Sequence, residues 1–449
     1  MMRRREIVAL LSLAWPIALT QVGLVSLGLV DVAVLGRLSV TDLAGSSIGR
    51  SIGFVGVGIP MGVAAALEPI ASQAVGAGEP RRAWAGLRAA LPGCALAWAP
   101  CMLVALVATR FLEPLGIETA VADRARAFLV GHAPGLLFFS WFLAQKAYLQ
   151  AHGRTAPLVL AAVVANLVNW IVCNVLVRGD GFLAALGLPR AGLAPMGAVG
   201  AGIASSIACF VLVVATAPFV RMVEREQSGD VGAPVRVTRL LSLGAPIGLQ
   251  LVAEIGVFAA VALAAGRMGP TVMAAHQVAI GLASFTFMGV LGLSGATSVR
   301  VGHAVGEGRP ARARSTGFLG IGLGALYMLV CGVVFAIVPA PLVRLFTVDP
   351  DVVALGSDLV RVAALFQVVD GVQGVAAGAL RGAGDVRQPF VANVVGHWII
   401  GLPVAVLLGG PGRMGARGLW LGLTLGLAAV AVALVVRFAV VSRTAVRRI

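Results

Sequence analysis

The sequence predicts an all-α membrane protein of about twelve transmembrane helices, in two six-helix bundles related by a pseudo-twofold axis along the membrane normal. Three observations carry that prediction. First, 59% of the 449 residues are hydrophobic, only 12% are charged, and the mean hydropathy is +0.97. A soluble domain is nearer a quarter charged, so this chain has too little polar surface to face water all round. Second, one apolar run after another reaches the roughly 20 residues that span a bilayer. Third, the stretch 11–80 recurs without a gap at 241–310. Leu11-Ser12-Leu13 falls on Leu241-Ser242-Leu243, Pro16-Ile17 on Pro246-Ile247, and Gly36-Arg37 on Gly266-Arg267. Ala74-Val75-Gly76 with Gly78 and Pro80 falls on Ala304-Val305-Gly306 with Gly308 and Pro310. Gly and Pro mark backbone positions rather than composition, so a constant register over this length reads as one unit used twice.

The first run, about 8–34, follows Met1-Met2-Arg3-Arg4-Arg5. It is long, it recurs later, and it lacks a small-residue cleavage site, so it reads as a retained helix rather than a signal peptide. Further runs lie at about 44–72, 84–109, 125–147, 156–177 and 196–220, then at about 238–264, 272–298, 315–339, 354–379, 389–409 and 417–441. Strands fit poorly: the runs are too long, do not alternate, and are rich in Ala, Leu and Gly. Leu149-x-x-x-Gly153 before Pro157 matches Leu380-x-x-x-Gly384 before Pro389 with a one-residue slip, closing the fourth and tenth helices. The repeated Val-Gly-x-Gly-x-Pro lacks the Lys-Ser/Thr ending and the preceding strand of a phosphate loop, and is expected to be a tight turn beside the membrane. His303, inside that motif, is expected to be part of the loop. The only long polar connector, 223–237, is expected to be a flexible cytoplasmic linker between an N-terminal lobe, 1–222, and a C-terminal lobe, 238–449.

Net charge is +15, but the basic residues form short clusters between apolar runs, without an aromatic or glycine-rich basic tract. That pattern fits anionic lipid headgroups and no nucleic acid. Basic residues such as Arg81, Arg82, Arg154, Arg312, Arg314 and Arg387 collect in the even-to-odd loops and at the termini. The opposite loops hold about half as many, mixed with Glu113, Glu118, Asp123, Asp180, Asp349 and Asp351. Both termini are therefore expected in the cytoplasm, which makes the halves parallel repeats. Cys94, Cys101, Cys173, Cys209 and Cys331 lie in apolar runs without metal-ligand spacing and read as buried small hydrophobes.

Carboxylates inside lipid-spanning runs are costly unless they face protein or water, which makes them the informative exceptions. Asp31 shares a helix face with Thr20, Leu24, Leu27 and Gly28, and Glu254 with Pro246 and Gln250. Asp370 is flanked on its face by Gln367, Gln373 and Gly374. Three buried acids, Asp31, Glu254 and Asp370, without matching buried bases suggest a cation site, for H⁺, Na⁺, a cationic substrate or several competing. In the fifth helix Asn166, Asn169 and Cys173 share a face with Asn174 close by, suited either to ligation or to interhelical hydrogen bonding. Glu68 before Pro69 reads as an interfacial charge. No Ser-His-Asp set, paired CxxC or aspartate-rich prenyl-diphosphate motif appears, so no enzymatic centre is expected.

These residues match a known family. Pro16 through Asp31-Val-Ala-Val-Leu-Gly36, Gln73-Ala-Val-Gly-Ala-Gly78, Ala274-Ala-His-Gln-Val-Ala279, Ser298-Val-Arg-Val-Gly-His303 and the segment Asp370 to Gly382 together resemble the multidrug and toxic compound extrusion (MATE) transporters, NorM-like branch, over essentially the whole chain. The resemblance implies a V-shaped pair of six-helix bundles exporting organic cations against H⁺ or Na⁺ influx. It implies Asp31 as the N-lobe carboxylate and Glu254 with Asp370 as the C-lobe cation-binding pair, and it matches the helix-five asparagines to a polar N-lobe position. We expect a monomer of the bacterial inner membrane, with no cofactor beyond the coupling ion. The alternatives are a lipid-linked oligosaccharide flippase, which would want mid-helix Arg or Lys, and a membrane-embedded lipid transferase, for which Asp349-Pro-Asp351 is the nearest acidic loop.

Overall fold

A computed structural model describes residues 2–185, 187, 189, 192–227, 234–410, 412–443 and 448, and every element in them is helical. The first half holds α1 (Met2–Leu35), α2 (Val40–Gly56), α3 (Gly58–Gly76), α4 (Pro80–Ala108), α5 (Thr119–Ala151), α6 (Ala156–Arg178), a short α7 (Asp180–Ala185) and α8 (Gly197–Arg225). The second holds α9 (Val237–Arg267), α10 (Pro270–Gly306), α11 (Pro310–Ile337), a short α12 (Pro339–Arg344), α13 (Pro350–Gly382), α14 (Arg387–Asn393), α15 (Leu402–Gly409) and α16 (Ala416–Val441). A π-helical stretch, Val394–Gly401, joins α14 to α15. Eleven helices among the described residues are long and apolar enough to cross a membrane, and the α2–α3 pair makes a twelfth. Most helices outrun the apolar runs that predict them, because hydropathy marks the part in lipid and not the turns that extend into the headgroups.

The helix ends follow from the repeated punctuation. Gly78 and Gly308 take φ of +77° and +69°, and Gly153 and Gly384 take +70° and +84°. This left-handed conformation costs glycine nothing. Arg154 N–H donates to Leu149 O, Arg309 N–H to Ala304 O and Asp385 N–H to Leu380 O, each at 2.9 Å. These six-to-one bonds close the helices as Schellman turns. Pro80 and Pro310 then start α4 and α11, where the missing N–H is no loss. His303 lies in the last turn of α10 rather than in a loop, because the helix runs on to Gly306 before the turn begins.

Two departures from straight helices interrupt this regularity. The expected single helix 44–72 is the pair α2 and α3, bent by 49° around Val57. Pro60 cannot donate to Gly56 and its ring crowds that carbonyl, which accounts for a break at this place. In the π-helical stretch, Leu402 N–H reaches back to His397 O. Pro403 lies just beyond it, and Gly396 and Gly401 let α16 come very close. A Cβ on Gly426 would lie 2.6 Å from both Gly396 O and Gly401 Cα.

The chain falls into two compact units. One comprises Met1–Leu19, Ser72–Gly78 and Leu249–Ile449, the other Thr20–Ala71 and Glu79–Gly248, so α1, α3 and α9 each contribute to both. Each unit uses the same packing plan. In one, α5 lies against α2, α4 and α8, and α6 against α8; in the other, α13 lies against α10, α11 and α16, and α15 against α16. Small and branched residues fill both cores, for example Ala198, Ala201 and Val177 in one and Ala376, Ala379 and Val430 in the other. Of the 223–237 linker expected from the sequence, 223–225 complete α8, and 228–233 lie outside the described residues. Cys94, Cys173 and Cys209 are buried as expected, whereas Cys101 and Cys331 are only half-buried, on helix faces left partly uncovered.

Candidate functional site

Each unit holds a carboxylate deep among its helices, and the two are treated differently by their surroundings. In the unit containing α2, Asp31 is 0% exposed. Its Oδ2 accepts from Arg50 Nη2 at 2.8 Å and from Ser205 Oγ at 2.5 Å, and its Oδ1 accepts from Asn169 Nδ2 at 3.1 Å. Four helices build this site. α1 supplies Asp31, α2 Arg50, α6 Asn169 and α8 Ser205. Asn169 also donates to Leu27 O, which fixes its amide. The guanidinium lies over the Phe128 ring, 5.2 Å from its centroid, an arrangement that suits a partly desolvated cation.

This corrects the expectation of acids without matching bases. Arg50 lies within the apolar run 44–72, and its side chain turns to Asp31 because an arginine there must find a partner or reach water. Asn166 does not join the site. Its Nδ2 donates to Gly23 O at 2.7 Å and to Ala162 O at 2.8 Å, tying α6 to α1 one turn away. Asn174 likewise bonds back to Trp170 O. Glu68 is buried, at 7% exposed, rather than interfacial, because α3 continues two turns past it to Gly76.

In the other unit, Glu254 of α9 and Asp370 of α13 are close enough for their charges to act on each other, and Asp370 is 7% exposed. Glu254 Oε2 accepts a long 3.4 Å bond from Asn393 Nδ2. Asp370 accepts no hydrogen bond from the described residues. Gln250, one turn before Glu254, is also buried. Gln367 donates to Thr286 Oγ1 at 2.5 Å, so its amide N–H₂ is turned toward α10 rather than toward Asp370. The carbonyl oxygens Gln367 Oε1, Gln373 Oε1 and Asn393 Oδ1 are buried without a hydrogen-bond partner among the described residues. Carboxylate and amide oxygens of this kind suit a hard cation such as Na⁺, and the carboxylates alone suit H⁺.

Asn393 and His397 were not expected here. Asn393 is the last residue of α14, and His397, one turn on in the π-helical stretch, packs 6.3 Å from Phe258. Phe258 follows Glu254 by one turn, so the two contacts stack along α9. Both are polar residues inside the apolar run 389–409, a signal that the sequence carries without showing which helices they face. Asp349 of Asp349-Pro-Asp351 accepts from the Asp351 and Val352 N–H groups at 3.0 Å and so caps α13.

Fold and site together define a multi-span helical membrane protein with internal carboxylates in both units. The MatE family model matches residues 16–175 and 246–407, two blocks that begin at equivalent points of the internal repeat, and the chain belongs to that family. It is 36% identical to a probable multidrug resistance protein NorM of Rhodopseudomonas palustris, over 98% of this chain and 93% of that one. It is 34% identical to a protein of the same name from Deinococcus radiodurans, over 96% and 95%. In fold it is similar to the eukaryotic MATE transporter AtDTX14, with a TM-score of 0.84 at 22% identity, covering 99% and 98% of the two chains.

Proposed function

We propose that this protein is a cation-coupled multidrug antiporter that exports organic cations by alternating access, with H⁺ or Na⁺ as the coupling ion. It acts as a monomer in a bacterial inner membrane, with both termini in the cytoplasm and with lobes 1–222 and 238–449 moving against each other. The observation that carries this reading is the pair Glu254 and Asp370. Asp370 is buried and Glu254 half-buried, each within reach of the other's field, with one 3.4 Å hydrogen bond between them and the rest of the described protein; Arg381 acts on Glu254 only from beyond ion-pair distance, so neither carboxylate has a bonded counter-charge among the described residues. A cation must supply what is missing. If the coupling ion and the organic cation compete for that charge in opposite conformations, binding of one drives release of the other, and nothing further is needed for exchange. The names of the bacterial relatives, multidrug resistance proteins, support multidrug export.

The test is efflux of a fluorescent organic cation from proteoliposomes under an imposed ion gradient. Glu254→Gln and Asp370→Asn are each expected to abolish gradient-dependent efflux. Retained gradient-dependent efflux in both variants would overturn the assignment. Exchanging the Na⁺ gradient for a pH gradient in the parent protein identifies the ion.

A further inference from the structure

We propose that Arg50 is the resident counter-ion of Asp31, a cation tethered to the chain that excludes the coupling ion from this carboxylate, so that ion coupling is confined to Glu254 and Asp370. The last clause rests on the function proposed above; the role of Arg50 does not. The first argument is occupancy. Asp31 already accepts from a guanidinium at 2.8 Å, a hydroxyl at 2.5 Å and an amide at 3.1 Å. A carboxylate whose two oxygens already accept from three donors offers no open face to a further cation. The second is permanence. Arginine does not lose its proton in a protein, so unlike histidine or lysine it never vacates the position through titration.

The third argument is construction. The guanidinium has a place made for it. Gly28, one turn before Asp31 on α1, leaves the room it occupies: a Cβ there would come 3.0 Å from Arg50 Nη1. Phe128 of α5 supports its face. Among the described residues, Cys173 of α6 and Cys209 of α8 also lie within reach of the Asp31 charge, and His132 of α5 lies within reach of that of Arg50. Arg50 is the charged partner within bonding distance. Glu254 and Asp370 have no such ion pair within 4.0 Å among the described residues, which leaves them as the carboxylates an external cation can reach.

Infrared spectroscopy of the full-length protein in detergent tests this, on a background carrying Glu254→Gln and Asp370→Asn. The signal is the protonated-carboxyl C=O band that disappears when Asp31→Asn is added. With Arg50 intact, no such Asp31-dependent band is expected between about pH 8 and about pH 5, a range that reaches toward the ordinary carboxylate values. Arg50→Gln is expected to bring the band in, at one carboxyl per protein, and Arg50→Lys to suppress it again. An Asp31-dependent band that titrates in this range with Arg50 present would overturn the proposal, as would its absence from folded, monodisperse Arg50→Gln protein. If Arg50→Gln does not fold, the comparison with Arg50 intact still decides. Failure of the transport assignment reads out separately, as gradient-driven efflux retained by Glu254→Gln and Asp370→Asn.

Discussion

His152 shows how much a single side chain is set by its surroundings. It follows α5 directly, packs at a tilt against the Tyr148 ring with centroids 4.5 Å apart, and bonds through Nδ1 to Tyr148 O at 2.9 Å, with Gln227 Nε2 at 3.1 Å from its other nitrogen. Burial holds its pKa below the ordinary value, against the opposing pull of the Tyr148 carbonyl and of Glu226, and with a smaller push in the same direction from Arg154. The unfolded chain then binds the proton more readily than the folded one, so the neutral imidazole stabilises the fold above about pH 6.5 and that stability drains away as the pH falls. Thermal unfolding in detergent is expected to show a lower midpoint on acidification through this range, with a flatter pH profile for His152→Gln; equal slopes for the two proteins would contradict it. At this scale the sequence exposes charge more readily than pairing. Asp31, Glu254 and Asp370 were legible because a carboxylate in an apolar run has no cheap explanation. The pairing of Arg50 with Asp31, and of Asn393 with Glu254, was not, because each depends on which helices face each other.

The same limit governs the elements. Every long helix was legible, since a run of about 20 apolar residues fixes a span whatever its neighbours do. The turns after Gly76, Ala151, Gly306 and Gly382 were legible too, because glycine and proline report backbone conformation directly. The 49° bend at Val57 follows from Pro60, which apolarity alone conceals. The π-helical stretch combines Pro403, which cannot donate to Ile399 O, with the close approach of α16 to Gly396 and Gly401, and only the proline is written locally. That approach gives a test. Gly426→Val would push a side chain against the Gly396 and Gly401 backbone, where no neighbour can yield, and should cost about 1–3 kcal/mol. Gly322→Ala on α11 meets open space and should leave stability unchanged or raise it by up to roughly 1 kcal/mol. Melting midpoints that move the same way for both would show that the close approach does not hold the stretch in place.

Across the whole molecule, the internal repeat has the greatest consequence. The same turns recur in both halves of the sequence and the same helix neighbours in both units, yet the carboxylates are handled in opposite ways: Asp31 is neutralised from within, whereas Glu254 and Asp370 have no ion-pair partner within 4.0 Å among the described residues. A duplicated scaffold thus carries one closed and one open negative site, and it is the open one that couples ion to substrate in the proposed cycle. Equilibrium binding of a fluorescent organic cation to the purified protein, titrated with H⁺ and separately with Na⁺, tests this most directly. The account predicts that at least one of the two ions weakens binding competitively, by up to about tenfold per tenfold rise in its concentration for a single shared site, and that Glu254→Gln/Asp370→Asn abolishes the competition. Binding to the parent protein that is indifferent to both ions would contradict it.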